Sequence, residues 1–225
     1  MYRAFLICIV AFALARPLSA SCTEQLFTGS ESRPSDAVVL FDGKDLSGWM
    51  QVGAGKADWK VQDGYMKITH DYICTKQQFT DHQLHIEFWV PLMANAQGQA
   101  RANSGVYLQG RYEIQVLDSY GLKSQSNDCG AIYGVAAPLV NACRPPEQWQ
   151  SYDAIFHAPK FDAQGNQISK ARMTVFQNGV LIHENVEIPD STVASMGGDV
   201  KKPGPLMLQD HGCPIRYRNI WVRPL

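Results

Sequence analysis

Glu113-Ile114-Gln115-Val116-Leu117-Asp118 is the string most able to do chemistry in this 225-residue chain. A strand alternates its side chains between two faces, so Glu113 and Gln115 share one, and a one-residue bulge would bring Asp118 onto it. Two carboxylates along a strand could act as general acid and base, or as acid and nucleophile. The other reading of Asp118 is a cap for the turn at Ser119-Tyr120-Gly121. A second string runs Leu208-Gln209-Asp210-His211-Gly212 and continues to Arg216-Tyr217-Arg218-Asn219-Ile220-Trp221. There His211 could be a general base whose tautomer Asp210 fixes, or a structural turn residue.

The same period of two sorts the neighbouring segments. Leu84, Ile86, Phe88 and Val90 fall on one face, and His85, Glu87 and Trp89 on the other. Tyr107 and Gln109 oppose Val106 and Leu108. A solvated sheet face would carry Lys, Thr, Ser and Glu; this set of aromatics, carboxylates and amides suits a sugar. The CH face of a sugar stacks on rings and its hydroxyls need polar partners. A second packed layer over these positions is the bland alternative. His85-x-Glu87 would fit two ligands of one metal ion, but two ligands do not make a site. Phosphate-binding glycine loops and serine elbows are absent.

The elements that must position these residues are strands. Trp59-Lys60-Val61 and Tyr65–Thr69 flank the turn Gln62-Asp63-Gly64, and Arg172–Gln177 and Val180–Glu184 flank Asn178-Gly179, a strong hairpin signal. Ala37–Phe41 and Tyr217–Val222 read as further strands, and helical periodicity is almost absent. Many short alternating strands mean an all-β antiparallel sandwich or barrel. Segments 91–103 and 118–150 are long irregular connections, and such loops tend to carry function.

Residues 1–20 read as an export signal, with Arg3 ahead of an apolar stretch and Leu18-Ser19-Ala20 as a cleavage site. The apolar stretch is too short to span a membrane, and no later segment is apolar enough to do so. Residues 21–35 read as a flexible leader and 36–225 as one domain. The chain is therefore expected to be periplasmic or secreted. Cleavage leaves Cys22, Cys74, Cys129, Cys143 and Cys213, an odd number. Cys22 is a candidate lipid anchor, although the apolar residue usual three positions before a lipoprotein cysteine is missing. In an oxidising compartment, Cys129 and Cys143 are the first candidate disulfide and Cys74 with Cys213 follows by elimination. A net charge of −1 without a basic run argues against nucleic acid, and 5 Trp, 9 Tyr and 9 Phe argue against disorder.

The strings taken together resemble the 3-keto-disaccharide hydrolase family, also known as domain of unknown function 1080. The matching pieces, in the family's order, are Leu40–Trp49, Asn103-Ser104-Gly105-Val106-Tyr107, Tyr112–Asp118, Gly130–Gly134, Glu147–Asp153, Asn178-Gly179 and Leu208–Trp221. The resemblance implies a concanavalin-like jelly-roll antiparallel β-sandwich acting on glycosides already oxidised to a ketone at C3. An upstream sugar 3-oxidoreductase would supply that substrate. It also implies Glu113 and His211 as the acid/base pair, supported by Asp118 and Asp210. Arg111, Gln115, Arg218 and Glu87 would be polar substrate partners, and Tyr107, Tyr133 and Trp149 stacking residues. Some members use a divalent metal, for which this sequence offers no complete ligand set. Two alternatives remain open from the residues: a non-catalytic carbohydrate-binding module of the cell envelope, and a retaining glycosidase using Glu113 and Asp118.

Overall fold

The computed structural model describes residues 33–53 and 55–225. The export signal, the lipid-anchor candidate Cys22 and nearly all of the leader lie outside the described residues. Fifteen strands follow in order: β1 (Val38–Phe41), β2 (Trp49–Gln51), β3 (Lys60–Gln62), β4 (Tyr65–Lys67), β5 (Ile73–Phe79), β6 (His82–Trp89), β7 (Ser104–Leu108) and β8 (Tyr112–Val116). After the long connection come β9 (Trp149–His157), β10 (Lys160–Phe161), β11 (Gln167–Ser169), β12 (Ala171–Gln177), β13 (Val180–Ile188), β14 (Gly204–Leu208) and β15 (Arg216–Pro224). The only helical element among the described residues is a single 3₁₀ turn at Gly98–Ala100. No described helix is long and apolar enough to cross a membrane.

Two antiparallel sheets make the sandwich expected of an all-β jelly roll. The larger has eight strands, ordered β13-β12-β9-β6-β15-β4-β3 with β1 also on β15; the smaller has the order β2-β5-β14-β7-β8. A separate β10-β11 ribbon stands apart from both. The hairpin signals hold, with Asp63 at φ 50° and Asn178 at φ 54° opening turns between paired Gln62 and Tyr65 and between paired Gln177 and Val180. The polar sequence of β5 and the short β14 hide from pattern reading because their partners, rather than their own alternation, make them strands.

One core lies between the sheets. Leu84, Ile86 and Phe88 of β6 and Tyr217 and Val222 of β15 meet Val106 and Leu108 of β7, Ile114 of β8 and Leu208 of β14. Tyr217 reaches from the larger sheet to the Ser104 hydroxyl of the smaller, 2.7 Å away. Phe88 is wholly buried and packs on Tyr152, with ring centroids 4.6 Å apart.

The four described cysteines on which disulfides were expected are free thiols, and none stands at disulfide distance from another. Cys74 packs with Tyr107 and Met207 outside the smaller sheet, whereas Cys213 belongs to the main core, so the sheet itself separates that expected pair. Cys129 and Cys143 are neighbours as thiols instead. The Gln177 side-chain amide reaches both sulfurs, at 3.6 and 3.4 Å.

Truncating the centre of this core tests the packing. Phe88→Ala should cost about 3–5 kcal/mol in denaturant unfolding, lowering the midpoint with little change in slope.

Candidate active site

Glu113 leaves β8 on the side away from the core because its neighbours Tyr112 and Ile114 are anchored within it. It lines a cleft of about 180 Å³ on the outer face of the smaller sheet, with Tyr72, Gln99, Asn103, Tyr107, Gln115, Tyr133, Val193, Ala194, Gln209 and His211. The residues come from β7, β8, the stretch just after β14 and four connections: 91–103, the stretch around Tyr133, 189–203, and the turn into β5 that carries Tyr72. The first two connections were expected to carry function. The third was not, since nothing in its sequence marks it.

The Glu113 carboxyl is buried and receives one hydrogen bond, from the Tyr107 hydroxyl at 2.8 Å. Burial drives its pKa up against the opposing effect of that hydrogen bond, to about 7. Tyr107 is itself held protonated by burial and by the facing carboxyl. The Glu113 amide donates to the Thr192 hydroxyl at 3.0 Å, and that hydroxyl donates to the Arg111 carbonyl at 3.0 Å. This clip ties the 189–203 segment across the strand that carries Glu113. Gly105, opposite Gln115 in the register of β7 and β8, makes the room. A Cβ there would stand 2.5 Å from Glu113 Oε1 and 2.7 Å from the Tyr107 ring.

Asn103 is the residue that site reasoning from the sequence missed. Its side-chain nitrogen is occupied by Gln99 at 2.9 and 3.1 Å, while its buried Oδ1 has no hydrogen-bond partner among the described residues. An orphaned acceptor in a cleft wall is a place for a ligand hydroxyl. The signal available beforehand was the string Asn103-Ser104-Gly105 beside a strand.

Several residues expected here are engaged elsewhere. Arg111 is buried and spends its guanidinium on the carbonyls of Gly197, Asp199 and Lys202 and on Gln109, so it anchors the 189–203 segment and does not line the cleft. Asp118 is buried against Arg101 at 2.7 Å and accepts from the Tyr120 amide, which is the capping alternative. Asp210 accepts from the Gly212 amide at 2.7 Å, while exposed His211 lines the cleft. Gln115 does line it, with its nitrogen donated to Gln99 at 2.9 Å. Tyr133 lines it as an aromatic wall. Tyr107 lies wholly under other groups and contributes its hydroxyl instead of a stacking surface.

Glu87, Arg218 and Trp149 are on the opposite outer face of the sandwich. Arg218 donates to Glu87 at 2.6 Å and lies over the Trp149 ring at 4.0 Å. Burial opposes the charge of Glu87, and hydrogen bonds from His85, Asn219 and Arg218 override it and carry its pKa down to about 2. Burial also opposes the charge of His85, and the Asp153 and Glu87 carboxylates raise its pKa to about 9.

Glu113 is the sole carboxylate among the residues lining the cleft, which leaves the two-carboxylate arrangement of a retaining glycosidase without its second member. No group of three or more His, Cys, Asp or Glu is placed to hold a metal ion among the described residues. The His85-x-Glu87 pair does not fit one either: His85 Nδ1 is engaged by Asp153 at 2.6 Å, and its Nε2 faces Asn219 and Glu87. The cleft lining holds no Lys or Arg, so its chemistry is that of a carboxyl, an imidazole, tyrosine hydroxyls and amides.

The signature of the family described as the 3-keto-alpha-glucoside-1,2-lyase-like domain matches residues 36–223. Among solved structures, one protein of Parabacteroides distasonis described as a candidate glycosyl hydrolase is 45% identical, with 85% of each chain covered and a TM-score of 0.78. A second protein of that organism, described in the same words, is 20% identical over 84% of this chain and 94% of its own, with a TM-score of 0.61. The second likeness concerns the fold alone. No curated protein matches the chain.

The buried carboxyl makes a pH-dependent prediction. Its folded pKa lies above the ordinary carboxylate value, so ionising it in the fold costs roughly 3 kcal/mol. That cost is absent at acid pH and grows as pH rises from the carboxylate range through about 7. Glu113→Gln should therefore raise Tm above pH 7 and leave it nearly unchanged at pH 4, as thermal unfolding at the two pH values would show. Gly105→Ala should lower Tm at both, because the added methyl group must displace the carboxyl or the Tyr107 ring.

Proposed function

Because the chain belongs to the 3-keto-alpha-glucoside-1,2-lyase-like family, we propose that it cleaves glycosides carrying a ketone at C3 of the sugar, with Glu113 as the base. The observation that carries this reading is a single buried carboxyl, poised at a pKa of about 7 in a cleft without fixed cations. A general base works best when its pKa lies near the working pH. An ordinary glycosidic bond needs a strong acid and a second carboxylate; a ketone at C3 needs less. It makes the C2 proton acidic, and one tuned base suffices.

In the proposed step Glu113 takes the C2 proton and the electron pair forms an enolate conjugated with the C3 carbonyl. The enolate then expels the C1 aglycone, whose oxygen takes a proton from His211. The C1–C2 double bond that results is an enone. Water adds at C1 and gives its proton to His211, C2 regains a proton from Glu113, and the product is the 3-keto sugar. Tyr72 and Tyr133 line the cleft, and their hydroxyls are the donors for the developing enolate oxygen. Asn103 Oδ1 takes a substrate hydroxyl and fixes the ring in the cleft. Tyr107 positions the carboxyl through its hydrogen bond and never meets the substrate ring. The same reading keeps residues 1–20 as an export signal and places the enzyme downstream of a sugar 3-oxidoreductase.

Purified protein offered 3-ketotrehalose beside trehalose should release glucose and 3-ketoglucose from the oxidised sugar alone, as read by mass spectrometry. Glu113→Gln should lower kcat/KM by about 10²–10⁴-fold. In the parent protein kcat/KM should fall as pH drops below about 7, because the base must be ionised. Turnover of trehalose itself, or a Glu113→Gln variant with most of its activity, would overturn the assignment.

A further inference from the structure

The outer face of the larger sheet carries a feature that the cleft chemistry does not use. Strand register places Lys60 opposite Lys67, Lys67 opposite Arg216, Arg216 opposite Trp89 and Trp89 opposite Trp149. Directly opposed residues of antiparallel strands share a face, so these five side chains form one row across β3, β4, β15, β6 and β9. The row is about 19 Å long, from four interstrand steps of roughly 4.8 Å.

Three adjacent cations in such a row repel one another, and like charges directly opposite destabilise a sheet. Lys60, Lys67 and Arg216 have no carboxylate partner among the described residues, whereas other cations of this face do, such as Arg218 with Glu87 and His85 with Asp153 in other rows. Arg216 has a further mark of an absent partner. Its guanidinium lies 3.8 Å from the Trp89 ring centroid and 4.9 Å from that of Tyr65, and its Nε is buried without a hydrogen-bond partner. The rings fix the plane of the guanidinium and leave its edge as the binding element. A planar fork of that kind matches the two oxygens of a carboxylate.

We propose that this row is a binding surface for a carboxylate-bearing glycan, a chain of uronic acid units lying across the strands. Half-buried Trp89 and Trp149, each with a guanidinium over one face, add the apolar surface that remains beside the cations for contact with the sugars. The cations stand one interstrand step apart, close to the length of one pyranose unit, so a uronate chain lying along the row brings its carboxylates within reach of them. This surface and the Glu113 cleft are on opposite sides of the sandwich, and an anchored glycan chain leaves the cleft open.

Isothermal titration of the purified protein with polygalacturonate, neutral dextran, dextran sulfate and duplex DNA tests the proposal. Polygalacturonate should bind, with an affinity that falls as salt rises, and dextran should not. Lys60→Gln combined with Lys67→Gln should weaken polygalacturonate binding about tenfold or more, while Tm stays level or rises because the repulsion is relieved. Arg216→Lys, which keeps the charge and loses the fork, should weaken it too. Dextran sulfate or DNA binding as tightly as polygalacturonate overturns the carboxylate assignment. Equal binding by the parent and the double lysine variant overturns the surface.

Discussion

Parity across the β7–β8 pair is the constraint on which the site depends. Val106, Leu108 and Ile114 are wholly buried in the core between the sheets. A strand cannot turn one residue without turning all of them, so Tyr107, Glu113 and Gln115 must face the other way. Burying a carboxyl on that outward side raises its pKa because the charged form loses water and receives only one hydrogen bond in return. The core therefore sets the chemistry of a group that it does not touch.

Covering that outward face is the task of the connections, and the 189–203 segment shows how it is done. Arg111 holds it with charge-assisted bonds to three backbone carbonyls, and Thr192 clips it to the strand beside Glu113. These anchors sit at the end of β8, where the rigid sheet passes its geometry to the loop. A carboxyl on a strand, roofed by anchored loops, is held in precise placement. The lone acceptor Asn103 Oδ1 marks the side on which a ligand completes the polar network.

The two outer faces of the sandwich solve opposite electrostatic problems. Around Glu113 no Lys or Arg lines the cleft and one hydrogen bond reaches the carboxyl, so burial carries its pKa up to about 7. On the larger sheet one cluster, His85, Asp153, Glu87, Asn219 and Arg218, is joined by hydrogen bonds and ion pairs that hold His85 and Glu87 in their charged forms. His85 stacks on Trp221 at 5.2 Å and Arg218 on Trp149, which spreads the charge over aromatic surface. A locked network of this kind serves structure and recognition better than proton transfer.

Much of this was legible in the chain itself. The alternation over Leu84–Val90, the Asp63-Gly64 and Asn178-Gly179 turns and the ordered motifs state the strands, their inward and outward sides and the family, because these are local properties of period and turn chemistry. Glu113 and His211 were also visible as a carboxyl and an imidazole in their strings, His211 with a structural turn residue as its other reading. Which sheet each strand joins was not visible. Glu87, Trp89 and Trp149 share with Glu113 only the property of facing outward, and the sequence carries no sign that β6 and β9 lie in one sheet and β8 in the other. The same holds for Cys74 and Cys213, which elimination pairs and a sheet divides, and for Arg111, whose partners are nearly ninety residues away in the chain. Local pattern determines the side of a strand; only long-range pairing, chosen by the packing of the whole core, decides what that side meets.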